Sequence, residues 1–410
     1  MSTNTEPQTA MEDVNMRSIA TDYIARVKSG DIGALPAILG LIALGLIFKF
    51  SSQYFLTNRN LANLITQSAP VMVIAMGLVF VLLLGEIDLA AGFTSGVCGA
   101  SMVLLINNHR FPWYAAFLVS LVIGIVLGFG MGALRARLGI PSFVVTLSAF
   151  LAFQGVLLLM AGEGGTIPLQ DRFVVAVENN NLSPMQSWIF YVVGMGAYLL
   201  YGLRRILRGR KTGVKVELFK IWLLRNLILT LLAGVATYML NGQRGNPPQS
   251  SIKGMPIVVL VLLGLLFAGT FTLQKTKFGR YLYAVGGNAE AARRAGINVA
   301  FIRTVAFVIC SGFAAIAGLL FASRSNSISP TTGGGTTLLY AVGAAVIGGT
   351  SLFGGRGKMR DAVLGGLVVA TIDNGMGLLG FSSGTQYLVT GGVLLLSASV
   401  DAISRKGAAV

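Results

Sequence analysis

The chain has 410 residues and a mass of 43.1 kDa. Hydrophobic residues make up 54% of it and charged residues 11%, whereas a soluble domain carries roughly 25% charged residues. Such a chain cannot cover its own surface with polar groups. Its low charge excludes a disordered polymer, and its 53 glycines follow no Gly-X-Y period. Its solvent is largely lipid. The net charge of +16 raises nucleic acid as a partner, but the distribution of the bases along the chain argues against it.

The first 34 residues carry five acids (Glu6, Glu12, Asp13, Asp22 and Asp31) and three bases. A secretory signal begins with a short basic stretch and an apolar run, so this segment reads as a retained polar tail. Apolar runs follow at 35–50, 68–84, 89–106, 113–134, 142–161, 188–203, 221–240, 256–273, 301–322, 338–350, 361–380 and 385–402. A spanning helix needs about 20 apolar residues; the runs at 35–50, 188–203 and 338–350 are short. The expectation is an all-α, polytopic membrane helix bundle of about 12 spans, within a range of 10–12. The spanning domain covers 35–402, with a basic insert at 204–220, a second polar loop at 274–300 and a tail at 403–410.

Lysine and arginine set the orientation. With the N-terminus inside, 22 of the 31 bases fall on inside segments and 6 outside, while Lys49, Arg225 and Arg303 sit at span edges. This asymmetry places both termini in the cytoplasm. It also explains the positive charge without a nucleic-acid groove.

Glycines recur every four residues at Gly92 and Gly96 and at Gly124, Gly128 and Gly132. Such stripes let helix backbones approach closely, as static packing or as a sliding interface.

Chemistry-bearing motifs are sparse. Cys98 and Cys310 both lie in apolar runs, which argues against a disulfide framework. His109 is the sole histidine, so Ser/His or Cys/His catalytic pairs and His-rich metal sites are not expected. No phosphate-cradling Gly-x-x-x-x-Gly-Lys-[Ser/Thr] occurs. No catalytic residue, metal site or cofactor is assigned.

Three segments stand out. In GEIDLAAG at 85–92, Gly85, Glu86, Asp88 and Gly92 interrupt an apolar stretch. Acids at membrane depth are costly and usually functional. These lie at the inner end of a span, and positions i and i+2 do not share a helix face, so a gate or structural turn is favoured over proton relay. The second segment, 347–357, contains Gly348, Gly349, Gly354 and Gly355. Laid on 84–92 it matches Gly348 to Gly85, Leu352 to Leu89 and Gly355 to Gly92, a weak sign of the duplicated halves common in transporters. The third is the helix-forming sequence at 288–296. There Asn288 can cap the first turn, Glu290 and the pair Arg293 and Arg294 match the helix dipole, and Gly296 can close the end. So short a helix is marginal alone and needs a surface to dock on.

GEIDLAAG at 85–92, KFGRYLYAVGGNAEAARRAGINV at 277–299, GGTSLFGGRG at 348–357 and DNGMGLLG at 373–380 resemble the permease subunits of bacterial monosaccharide ABC importers of the ribose/xylose/galactose type. The chain's length and its 204–220 insert are most similar to the xylose or multiple-sugar branch. Glu86, where many relatives carry glycine, and Ala90-Ala91, for a common Ser-Val, depart from the pattern.

The resemblance implies a homodimer in the inner membrane, two cytoplasmic ATPase subunits that bind the ATP, and a periplasmic sugar-binding protein. It implies that Asn288, Glu290, Ala291, Arg293, Arg294 and Gly296 form the ATPase-coupling helix. Gln154, Asn374 and Gln386 become candidates for lining the translocation path, or for ordinary interhelical hydrogen bonds. A proton-coupled carrier using Glu86, Asp88 or Asp373, and a scaffold without transport, are the rival readings.

Overall fold

The computed structural model describes residues 33–162, 165–212, 219–245 and 251–406. The predicted tails at 1–34 and 403–410, and the centre of the 204–220 insert, therefore lie largely outside the described residues.

Each of the twelve apolar runs falls in a helix. In chain order these are α1 (Leu35–Ser51), α2 (Asn58–Leu82), α3 (Ala91–His109), α4 (Trp113–Leu138) and α5 (Ser142–Ala161). A short α6 (Arg172–Asn179) precedes α7 (Pro184–Lys211), α8 (Phe219–Asn241) and α9 (Val258–Lys275). Two polar helices, α10 (Lys277–Gly287) and α11 (Ala289–Arg294), lead to α12 (Val299–Ser325), α13 (Thr336–Ile347), α14 (Met359–Leu378) and α15 (Ser383–Lys406). Among the described residues, six helices (α2, α4, α5, α8, α9 and α12) are long and apolar enough to cross a membrane. The protein is an all-α, multi-pass membrane protein.

Flanking residues lengthen one of the short runs. α7 extends 188–203 to 28 residues, because Ser183 and Gln186 form a reciprocal cap at its start and the helix continues through the basic residues to Lys211. α13 stays at 12 residues and ends where the glycine-rich turn begins. The described strands are a two-residue antiparallel pair, β1 (Ile167–Pro168) and β2 (Ser327–Ile328), with Ile167 opposite Ile328. Strands of two residues are too short to leave a period in the sequence.

α12 is the central post. Asn298 caps it by accepting from the Phe301 amide at 3.0 Å, and α2, α3 and α4 pack around it. Both predicted glycine stripes lie at close approaches. A Cβ on Gly124, Gly128 or Gly132 would stand 2.8, 2.6 or 2.8 Å from the α12 backbone at Ser311, Phe307 or Thr304. Gly92 and Gly96 abut the backbone at Gly333 and Thr332. These are tight packing contacts of the small-residue kind. The perimeter is the reverse: Leu118, Val122, Val126 and Phe129 on α4, and Leu227, Leu231 and Leu232 on α8, are exposed apolar side chains. Apolar surface so continuous marks a lipid-facing wall.

The 25 residues of α2 measure about 37 Å at 1.5 Å per residue. The helix joins two polar ends that carry the candidate sites.

Candidate coupling and transport site

At the C-terminal end of α2, three segments distant in sequence meet backbone to backbone. The Gly355 amide donates to the Leu83 carbonyl at 2.8 Å. Gly85 turns the chain at φ +68, and a Cβ there would lie 3.2 Å from the Phe353 carbonyl oxygen. Gly286, near the end of α10, leaves no room for a side chain against the Leu83 carbonyl. The Tyr283 hydroxyl on α10 donates to the Gly357 carbonyl at 2.6 Å. Burial and the nearby Asp361 push this phenol up to about 12, so it remains a donor. The two glycine-rich turns singled out in the sequence therefore touch, and α10 clamps both.

α11 follows directly. The Asn288 side chain accepts from the Ala291 amide at 2.9 Å, Glu290 reaches Arg293 at 3.2 Å and Arg294 at 3.4 Å, and Gly296 closes the turn at φ +81. Ala292 is buried beneath, while Ala291, Arg293 and Arg294 are exposed. The helix presents charge outward and rests on the body through two small side chains, Ala289 and Ala292.

Glu86 is buried between two cations. Nε of Arg135, in the last turn of α4, donates to both carboxylate oxygens at 2.8 and 2.9 Å, and its Nη2 lies 2.7 Å from Oε1. Nε of Arg303, in the first turn of α12, stands 3.3 Å from the same oxygen. The turn thus locks α4 and α12 to the end of α2. Asp88 is fully buried and accepts from the Ala90 amide at 2.9 Å, holding the first turn of α3. Gly348 and Gly349 begin the second turn, packed against the Asp361 and Gly33 carbonyls.

In the sequence Arg135 is legible only as an inside charge and Arg303 only as a span-edge base. An acid at the inner end of a span, with bases at the ends of other spans, is the signal for such a pairing. Orientation by alternation puts 83–90, 135, 286–303 and 348–358 on one side, and the structure joins them at one end.

The three path candidates are not drawn into one lining. Asn374 and Asn60 exchange amide hydrogen bonds at 2.8 and 3.0 Å, tying α14 to α2. Gln386 is half-buried and donates to the Phe381 carbonyl at 3.1 Å. Gln154 is half-buried on α5, which packs against α3 and α4. Asp373, the third acid of the rival carrier reading, converges instead with Gln67, Ser68 and Tyr340, which the sequence did not single out, on a cavity between α2, α13 and α14. Among the described residues no cluster of His, Cys, Asp and Glu could hold a metal ion.

A family of permease components of transport systems, described as "Branched-chain amino acid transport system / permease component", matches residues 60–398. The chain is 33% identical to the xylose transport system permease protein XylH of Escherichia coli (strain K12), over 93% of this chain and 94% of the relative. It is 32% identical to the protein of that name from Haemophilus influenzae, over 91% and 97% of the two chains. It is 29% identical to the ribose import permease protein RbsC of E. coli (strain K12), over 90% and 92%. No solved structure matches. With most of its length aligned to that family and to near full-length relatives, the chain belongs to the transport-system permease components.

Proposed function

We propose that this chain is the membrane-spanning subunit of an ATP-binding-cassette importer in the bacterial inner membrane, carrying xylose or a related monosaccharide from a periplasmic binding protein to the cytoplasm. The similarity to the xylose permeases along nearly the whole chain carries this reading. The arrangement at the inner end supports its mechanism. ATP is bound and hydrolysed by partner subunits; this chain supplies a dimeric conduit and a handle, and needs no cofactor of its own. A push on α11 passes through α10 to Leu83, Gly85, Gly354 and Gly355, and so to the ends of α2, α3, α13 and α14. Interlocked backbones transmit such a displacement without slack, because packed interfaces switch between discrete arrangements. Glu86, Arg135 and Arg303 carry it on to α4 and α12.

Proteoliposomes holding this chain, its ATPase and the binding protein test the proposal. D-xylose accumulation that requires internal ATP and both partners supports it. Accumulation by this chain alone, driven by a pH gradient, overturns it in favour of the proton-coupled carrier.

A further inference from the structure

At the opposite end of α2 lies a second polar cavity, of about 330 Å³, within the range of small-molecule sites (~300–1,000 Å³). Arg59, Asn63, Thr66, Glu178, Asn181 and Arg244 line it. Glu178 is only 4% exposed, and neither carboxylate oxygen has a hydrogen-bond partner. Its backbone is nonetheless fixed. The Glu178 amide donates to the Ser323 hydroxyl at 2.9 Å, and the neighbouring Asn179 side chain donates to the Ser323 carbonyl at 2.6 Å. Arg244 spends Nη2 on Asn181 at 2.9 Å and on the Gly254 carbonyl, while its buried Nε has no partner. An unmet acceptor and an unmet donor thus line one cavity. Buried polar groups are rarely left so.

We propose that this cavity is a monosaccharide-binding site, with the Glu178 carboxyl group exchanging hydrogen bonds with ring hydroxyls and Arg244 donating to ring oxygens. A neutral polyol both donates and accepts, and so satisfies both groups. An acceptor-only anion would leave the Glu178 carbonyl oxygen unmet, and a cation would face Arg59 and Arg244. The route inward is also polar. Arg59, Asn63, Gln67 and Val71 recur every four residues along one face of α2; the first two line this cavity, and the last two line the one that holds Tyr340 and Asp373. The step from Asn63 in one cavity to Gln67 in the other, four residues of helix, is about 6 Å. The site rests on the importer reading above and places the sugar's first contact on the side that faces the binding protein.

The test uses the assembled importer in proteoliposomes with D-xylose as probe. Asn63 is exposed, and Asn63→Cys is labelled with a membrane-impermeant maleimide. D-xylose should slow labelling at least threefold. Glu178→Leu should abolish that protection and raise the KM of uptake about tenfold, with unprotected labelling and ATPase association unchanged. Glu178→Gln, which keeps one acceptor oxygen, should retain part of both. Wild-type uptake of D-xylose without protection overturns the site alone. Protection by the binding protein without sugar also overturns it, assigning the cavity to protein docking. Absence of any wild-type D-xylose uptake counts instead against the function proposed above.

Discussion

Arg135 holds Glu86 by a two-oxygen guanidinium contact at 2.8 and 2.9 Å across 49 residues of sequence. Removing one partner of a buried pair leaves an uncompensated charge, at a cost of roughly 3–5 kcal/mol. Glu86→Gln leaves two arginines close together and should lower the unfolding midpoint of the detergent-solubilised protein markedly. Combined with Arg135→Gln it should cost less than the two single changes added. Strict additivity in thermal unfolding would show that the pair does not hold α4 to the turn.

Neighbouring glycines at the end of α10 separate steric from conformational roles. Gly286 abuts the Leu83 carbonyl, whereas a Cβ on Gly287 meets nothing within 4 Å. Gly287→Ala should therefore leave ATP-driven uptake near wild type, while Gly286→Ala forces α10 off the turn. ATP hydrolysis and uptake measured in the same vesicles should show more ATP consumed per sugar for Gly286→Ala. Equal behaviour of the two variants would remove this contact from the transmission path.

The reciprocal Asn60–Asn374 pair makes Asn374 a structural residue. Interhelical side-chain hydrogen bonds in membranes are worth about 0.6 kcal/mol, up to about 1.7. Asn374→Leu should cost about that much in stability and leave the KM for sugar unchanged. A raised KM with unchanged stability would restore Asn374 to the translocation path.

Burial pushes Glu178 from 4.5 up to about 8, against the opposing pull of Arg324. Between those values the folded chain keeps a proton that the unfolded chain has lost, so stability falls as pH rises. The loss is absent below about 4.5 and complete above about 8, and amounts to a few kcal/mol at most. Thermal midpoints measured from pH 5 to pH 9 should drop for the wild type and flatten for Glu178→Gln. Identical slopes would show that Glu178 does not carry the pH dependence.

Hydropathy made the helices legible because lipid forces each span to satisfy its own backbone, and all twelve apolar runs are helical. The cap at Asn288 and the turn at Gly296 were legible because both act within a few residues. Long-range pairings were not. Bases at inner span ends signal that Glu86 has a cationic partner without saying which, and Asn374 carries no mark of Asn60. Glu178 drew no reading because it sits in a short amphipathic helix between spans, where an acid looks solvated; burial against Ser323 changes its meaning. The contact between the two glycine turns was visible only as a loose internal likeness.

The central claim is that α11 faces the cytoplasm and is gripped there by the ATPase. Ala295, at its end, is exposed, and the native Cys98 and Cys310 are buried, so Ala295→Cys gives a nearly silent background for an impermeant maleimide. In oriented vesicles, labelling is expected only from the cytoplasmic side, and bound ATPase should suppress it. Labelling from the opposite side would contradict the account.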